Sequence, residues 1–240
     1  MGGEPKPGDL LDGKYQLLRL LGRGGMGQVF EAENVRLGQR VAIKCLLPDV
    51  ADNAEILARF EREARTVASL RSRHVVKIFD VSETVDHAPF MVMELLAGHD
   101  MQAEMSERGA LPAVEVVDWI IQACSGLAEA HAAGVVHRDL KPSNVFLCQE
   151  PEGRVAKVLD FGIAKAHENA PAITQTNAGA FGTPEYMSPE QMRNQPVDAR
   201  ADVWALGVIL YEALSGRLPF PERSFHAMAA AVVADEPTHL

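Results

Sequence analysis

The apolar residues change period once along the chain, and that change restricts the fold more than any other feature of the sequence. From Tyr15 to about Phe90 they come in short runs rich in β-branched and aromatic residues: Tyr15 to Leu21, Gln28 to Glu33, Arg40 to Leu46, Val75 to Val81 and Phe90 to Leu95. Runs of that kind predict the strands of a small sheet. One helical segment interrupts them, Glu55 to Leu70, where Ile56, Phe60, Val67 and Leu70 recur at helical spacing and Glu63 falls on the same stripe. From Pro112 the pattern is helical, with Gly134 placed to stop the helix Ala113 to Ala133. Two short strands, Val145 to Leu147 and Val155 to Leu159, flank the turn signal Pro151 to Gly153, and a strandless stretch then runs to Glu190. Ala201 to Ser215 is apolar nearly all round and needs cover on every side, with one short helical run, about Ser224 to Ala234, after it. The order is a β-rich part with one helix, a polar crossing near Ala97 to Glu104, and a helical part carrying a strand pair. That is an α+β fold class.

Composition supports a packed core: 47% of the 240 residues are apolar and 23% charged. Lys and Arg total 23 against 33 Asp and Glu, a formal charge of −10 that opposes general attraction to nucleic acid or an anionic membrane. Cys45, Cys124 and Cys148 are far apart and lack any Cys-x-x-Cys spacing, so neither a disulfide framework nor a zinc knuckle is signalled and a reducing, cytoplasmic setting is expected. Residues 1–14, opening on Gly- and Pro-rich sequence without an apolar core segment, are expected to be a flexible terminus and not a signal peptide. No apolar stretch approaches the roughly 18 residues of a membrane-spanning helix.

Gly22-Arg23-Gly24-Gly25-Met26-Gly27-Gln28-Val29 is a glycine-rich loop in which missing side chains let backbone N–H groups approach phosphate oxygens. With 19 glycines, a bare G-x-G-x-x-G arises by chance in about one such chain in eight, and its alternative is a plain turn. Strand-like flanks on both sides disfavour a dinucleotide-binding βαβ unit, where a helix follows the glycines. No Lys-Ser or Lys-Thr closes it as a Walker loop. One strand further on, Val41-Ala42-Ile43-Lys44 ends an apolar strand in a lysine that either projects beneath the loop or snorkels to solvent. Glu63 bears on that choice, because a carboxylate on the buried face of a helix needs a cation, and Lys44 is the best candidate.

His137-Arg138-Asp139-Leu140-Lys141-Pro142-Ser143-Asn144 precedes the strand from Val145, and Asp160-Phe161-Gly162 ends the next one. The specified residues of H-R-D-L-x-x-x-N in order arise by chance on the order of once in ten thousand chains of this length. Asp139, Asn144 and Asp160 thereby come to the ends of adjacent strands, where one carboxylate can orient a hydroxyl while oxygen donors hold hard cations. The plainer alternative is turn-forming Asp and Asn.

Glycine loop, V-A-I-K, helix Glu, H-R-D-L-x-x-x-N, D-F-G and Ser188-Pro189-Glu190 stand in the order of a protein kinase, and over residues 15 to 240 the chain resembles the catalytic domain of bacterial eukaryotic-like (Hanks-type) serine/threonine protein kinases. The resemblance implies a two-lobed domain, a small lobe of about 15–96 and a larger mainly helical one of about 97–240, with the ATP cleft between them. It implies ATP and Mg²⁺, with Mn²⁺ as a substitute, and protein substrates phosphorylated on Ser or Thr. Lys44 would hold the α/β-phosphates and pair with Glu63, Asn144 and Asp160 would bind the metal, Asp139 would accept the hydroxyl proton and Lys141 would contact the transferred phosphate. Leu21, Val29, Ala42 and Phe146 would sandwich the adenine, Met93 would stand behind it, and the backbone of Glu94 and Leu96 would bond its edge. Lys141 in the catalytic loop and Thr183 in Gly182-Thr183-Pro184-Glu185 favour Ser/Thr over Tyr specificity. Arg138 would anchor a phosphorylated segment between Asp160 and Glu190, with Thr174 and Thr176 at phosphoacceptor spacing; plain polar loop residues are the alternative for both threonines. Asp202 would brace the catalytic loop or serve as a helix-dipole partner. Dimerisation through the small lobe, common in relatives, would serve trans-autophosphorylation.

Kinases of this class carry two more helices beyond the position of Leu240, including an Arg that pairs with the Glu of Ser188-Pro189-Glu190. A shortened C-lobe is therefore expected to cost stability, since breaking a buried pair costs about 3–5 kcal/mol. Two functions follow: an active kinase, since Lys44, Asp139 and Asp160 are all present, or a nucleotide-binding but catalytically poor module.

Overall fold

A computed structural model describes residues 4–24, 27–46, 54–84, 88–151, 153–161, 183–221 and 224–239, without the side chains at 54–56, 59 and 63. Its chain contacts divide these residues into two compact units, 4–70 with 76–96, and 71–75 with 97–161 and 183–239.

The first unit is built on a six-stranded antiparallel sheet. Its strands are β1 (Leu10–Leu11), β2 (Tyr15–Gly24), β3 (Gly27–Asn34), β4 (Gln39–Leu46), β5 (Ile78–Glu83) and β6 (Pro89–Glu94), in the spatial order β1-β2-β3-β4-β6-β5. Register decides which residues share a face, because side chains alternate with period two. Phe30 pairs with Ile43 and Ile43 with Val92, and this face, with Tyr15, Leu17, Val41, Cys45 and Phe90, forms the core of the sheet. Val29 pairs with Lys44, Lys44 with Met91, and Ala42 with Met93, so these five lie on the opposite face. Helix α1 (Ala54–Ala68) buries Phe60, Ala64 and Val67 and packs on β5.

The terminus expected to be flexible is in part a strand. Leu11 pairs with Tyr15, and the Gly8 N–H donates to the Leu17 carbonyl at 2.8 Å. The sheet edge recruits these residues because Leu11 completes the apolar face beside Tyr15. The strand expected from Val75 begins later, at Ile78, while Val75 makes an isolated bridge to Val158 in the second unit.

The second unit contains β7 (Gly98–Asp100), α2 (Met101–Arg108), α3 (Ala113–Ala132), β8 (Val145–Glu150), β9 (Gly153–Val158), α4 (Pro189–Met192), α5 (Arg200–Ser215) and α6 (Phe225–Ala234). Strands β7, β8 and β9 form a three-stranded sheet, and α3, which buries Val116, Trp119, Ile120, Ala123 and Leu127, packs on β9 and on α5. Gly126 is required on that helix, since a Cβ there would lie 2.6 Å from the His74 carbonyl oxygen. The Glu129 carboxylate accepts the amides of Arg71 and Ser72 at 2.8 and 2.6 Å, pinning 71–75 to the same helix.

The polar crossing expected at Ala97 to Glu104 is a strand and a helix. Asp100 caps α2 by accepting the Ala103 N–H at 2.8 Å, and Met101, Glu104 and Met105 are buried. Glu104 is the acid of a buried ionic cluster, bonded by His99, Arg108 and Arg154. Burial works to raise its pKa, and the three donors outweigh that and hold the carboxyl at about 2. Helix α5 is not covered all round: Ala205, Val208 and Ile209 are buried, but Val203 is 63% exposed. On another side, Trp204 stacks on Phe220 near Met192, Met228 and Val232 of a second apolar cluster.

Candidate active site

In the first unit the glycine-rich loop is the β2–β3 hairpin, with Gly22 opposite Val29 and Gly24 opposite Gly27. Register shifts between Leu17 and Arg19 and between Leu20 and Gly22 mark irregular pairing that bends β2 ahead of the glycines. The glycines differ in what they do. A Cβ on Gly22 or Gly24 would meet open space, so the surface there is uncrowded, whereas a Cβ on Gly27 would run into the Cys45 carbonyl oxygen. Gly27 thus serves the approach of β3 to β4, and the first two leave room for a bulky anion. Gly25 and Met26 lie outside the described residues.

Val29, Ala42, Lys44 and Met93 occupy one sheet face by register, with Ala42 and Met93 buried and Lys44 half-buried. Leu21 is 40% exposed and free to cover a ligand. At the end of β6 the Glu94 N–H donates to the Lys77 carbonyl (2.9 Å) and the Glu94 carboxylate accepts the Lys77 N–H (2.8 Å). Leu96 follows in the segment between β6 and β7, outside regular secondary structure. Glu63 lies in α1, but the expected pairing of its side chain with Lys44 falls outside the described residues.

In the second unit the β8–β9 hairpin sets the geometry. Val145 pairs with Val158, so Asn144, just before β8, and Asp160, just after β9, come to the same end, and the Leu159 N–H donates to the Asn144 carbonyl at 2.9 Å. The Asn144 amide donates to the Asp139 carbonyl at 2.8 Å. That bond uses the amide nitrogen and leaves the side-chain oxygen as a hard donor. The Lys141 ammonium lies 3.4 Å from the Asp139 carboxylate. Phe146 is half-buried on β8. Arg138 and Asp160 both adopt left-handed backbone, at φ 63° and 46°, a conformation that non-glycine residues hold only where surrounding contacts impose it.

For Arg138, Asp202 supplies those contacts. Buried at the first turn of α5, it accepts the N–H of His137 (2.8 Å) and Arg138 (2.9 Å) and bonds His131 Nε2 (2.7 Å). Both readings of Asp202 are met, because a carboxylate in that turn also suits the helix dipole. From the other side the Gln191 amide donates to the Arg138 carbonyl at 2.8 Å. The buried His137 ring packs on Phe161 with centroids 5.0 Å apart. Burial pushes its pKa down and keeps it neutral. Its Nε2 is 2.7 Å from the Leu159 carbonyl and its Nδ1 accepts the Asp139 N–H at 3.3 Å, which assigns the proton to Nε2.

Thr183 precedes a short 3-10 turn over Pro184–Tyr186, and Tyr186 donates to Glu212 at 2.6 Å, where burial raises both pKa values. Gly162, Thr174 and Thr176 lie outside the described residues. Sequence reasoning missed His131 and Gln191. Gln191 had a local signal, since Ser188 and Gln191 form a capping box, but nothing local directs it to Arg138.

A family model described as "Protein kinase domain" matches residues 15–237. The chain belongs to the protein kinase domain family. The kinase domain is 42% identical over 233 residues to the serine/threonine-protein kinase pkn2 of Myxococcus xanthus, covering 94% of this chain and 28% of that protein. It is 46% identical to Pkn1 of the same organism, covering 91% of this chain and 31% of that protein. Against PknA of Mycobacterium tuberculosis it is 41% identical, covering 90% and 50%. The chain therefore spans half or less of the length of these curated relatives. Among solved structures, a cysteine-to-alanine mutant of the PknI kinase domain of Mycobacterium tuberculosis aligns with TM-score 0.71 and 30% identity, covering 90% of this chain and 79% of that one. The kinase domain thus has the two-lobed protein kinase fold, a β-sheet unit and a mainly helical unit. Its family uses ATP and a divalent metal ion. Among the described residues no helix is long and apolar enough to cross a membrane.

Proposed function

We propose that the chain is an ATP-dependent serine/threonine protein kinase that transfers the γ-phosphoryl group to Ser or Thr hydroxyls of proteins, its own Thr174 and Thr176 among them. The observation that carries this reading is the catalytic loop: His137, Arg138 and Asp139 are held from two sides by Asp202 and Gln191, and Asn144 ties the Asp139 carbonyl to the end of β8. A turn serving only to reverse the chain needs no such bracing.

Asp139 orients the attacking hydroxyl and takes its proton as that oxygen bonds to the γ-phosphorus and the bond from phosphorus to the ADP oxygen breaks. Lys141, beside Asp139, places a positive charge where the transferred group is most negative. Lys44 binds the α/β-phosphates and pairs with Glu63, and the backbone of Gly22 to Val29 covers the phosphates. Leu21, Val29, Ala42 and Phe146 enclose the adenine. The Glu94 N–H is committed to Lys77, so an adenine bond from Glu94 uses its carbonyl, and Leu96 supplies the other backbone group.

The donors present fit Mg²⁺. Among the described residues no group of three or more His, Cys, Asp or Glu forms a metal cage. Asn144 and Asp160 would instead hold the ion by oxygen in company with phosphate oxygens, as Mg²⁺ prefers. When bound, the ion neutralises charge on the phosphates. Arg138 anchors the phosphorylated segment, Thr183 favours Ser or Thr over Tyr as acceptor, and a second copy serves as phosphorylation partner.

Purified chain incubated with Mg²⁺ and γ-labelled ATP should label Thr174 or Thr176, with labelling lost in Asp139→Asn. The reading as a catalytically poor binding module is not favoured, since every chemical position is filled. ATP binding without transfer at any enzyme concentration would restore it.

A further inference from the structure

Residues 4–11 run beside the sheet, bonded through Gly8 and Asp9 to Leu17, with the Gln16 amide donating to the Gly8 carbonyl at 3.1 Å. The segment reaches the glycine-rich hairpin at Glu4. Its carboxylate bonds the Arg23 guanidinium at 2.9 Å and accepts the Gln28 side-chain amide at 3.3 Å. Arg23 and Gln28 are cross-strand partners, and Gln28 in turn pairs with Cys45 on the core face, so Glu4 grips both arms of the hairpin on the face opposite to Val29 and Lys44.

We propose that residues 4–11 are a strap that sets the position of the glycine-rich hairpin, and that Glu4 is the positioning residue through which it acts. The proposal rests on reading Gly22 to Val29 as the phosphate-binding loop of a kinase. Two observations carry it. Gln28 is only 5% exposed, and its side-chain oxygen is buried with no partner among the described residues, so the bond from its nitrogen to Glu4 is what ties this side chain down. Weakening that bond leaves a buried amide poorly satisfied, which the hairpin relieves by moving away from its packed position. Glu4 also neutralises Arg23 on the same face as Gln28. Without that partner the Arg23 side chain no longer ties the β2 arm of the hairpin to residues 4–11.

The expected signature is a change in nucleotide affinity at nearly constant turnover. In Glu4→Gln, KM for ATP should rise about three- to tenfold while kcat and KM for a protein substrate hold. The effect should shrink at high salt, because the Arg23 pair is exposed. The conservative variant Glu4→Asp should keep KM near the native value, since it retains a charge for Arg23 and an acceptor for the Gln28 amide. Amide exchange at 22–24 and 27–28, measured without nucleotide, should quicken in Glu4→Gln and stay near native in Glu4→Asp. Equal loss in kcat and both KM values, with no rescue in Glu4→Asp, would reduce Glu4 to a stability contact and overturn the proposal. Tighter ATP binding in Glu4→Gln would overturn it too, because the carboxylate would then be repelling phosphate. Wild-type chain that binds no ATP removes the kinase reading and the strap with it, whereas wild-type binding unchanged by Glu4→Gln removes the strap alone.

Discussion

Replacing Asp202 by asparagine exchanges one carboxylate oxygen for an amino group at almost constant volume. In the native chain Oδ1 accepts the Arg138 N–H, and Oδ2 accepts the His137 N–H and bonds His131 Nε2. Asparagine has one oxygen, so whichever way it turns, its NH₂ faces a backbone N–H. At least one amide of the catalytic loop is then buried without an acceptor, at a cost of about 1–3 kcal/mol. The remaining bonds weaken by roughly 1 kcal/mol when the acceptor loses its charge. The sum, about 2–4 kcal/mol, corresponds to a fall in Tm of about 4–16 °C at some 2–4 °C per kcal/mol for a domain of this size. Far-UV circular dichroism against temperature measures it. Below the transition, phosphoryl transfer should also fall at least about tenfold, because the left-handed backbone of Arg138 that aims Asp139 loses its support. A variant melting within about 2 °C of wild type with unchanged kcat would show that Asp202 does not hold this loop.

Gly27→Ala should lower Tm by several degrees, since its Cβ runs into the Cys45 carbonyl oxygen, whereas Gly24→Ala should leave Tm in place and weaken ATP binding; equal melting curves for the two would refute the distinction. The Glu104 carboxyl is held at about 2, below its unfolded value of 4.5, so its stabilisation is complete above about pH 4.5 and is lost as pH falls toward 2. It amounts to on the order of 3 kcal/mol. Glu104→Gln should therefore melt lower than wild type at pH 7, with the gap closing by about pH 2 to 3, and a gap independent of pH would contradict the cluster. Tyr186→Phe removes the bond to the half-buried Glu212 carboxyl and should destabilise the chain by about 1–2 kcal/mol in urea titration, an expectation that an unchanged midpoint would refute.

Most of the strands and long helices were legible because their signals are local. The β-rich apolar run Arg40 to Leu46 reports a buried strand and the helical spacing of Phe60 and Val67 reports burial on one face of a helix, and both elements form within two residues of the expected bounds. Helix α2 was illegible because its acid, Glu104, looks solvent-directed until three partners from β7, β9 and its own last turn surround it. Helix α5 misled in the other direction, since apolar residues all round a helix do not oblige the fold to cover Val203.

The sequence by itself determined the chemical groups and their order: the glycines, Lys44, Asp139, Asn144 and Asp160 are recognisable because the residue types and short spacings that phosphate and metal chemistry require lie within single loops and strand ends. Only the tertiary structure decided what holds them. Asp202 reaches His137 across 65 residues, Gln191 reaches Arg138 across 53, and Glu4 reaches Gln28 across 24. Gly27 likewise answers to a carbonyl on the neighbouring strand and not to a ligand. The reason is physical: a buried amide must find an acceptor, and which one it finds depends on the elements that packing brings alongside it, which no local period records.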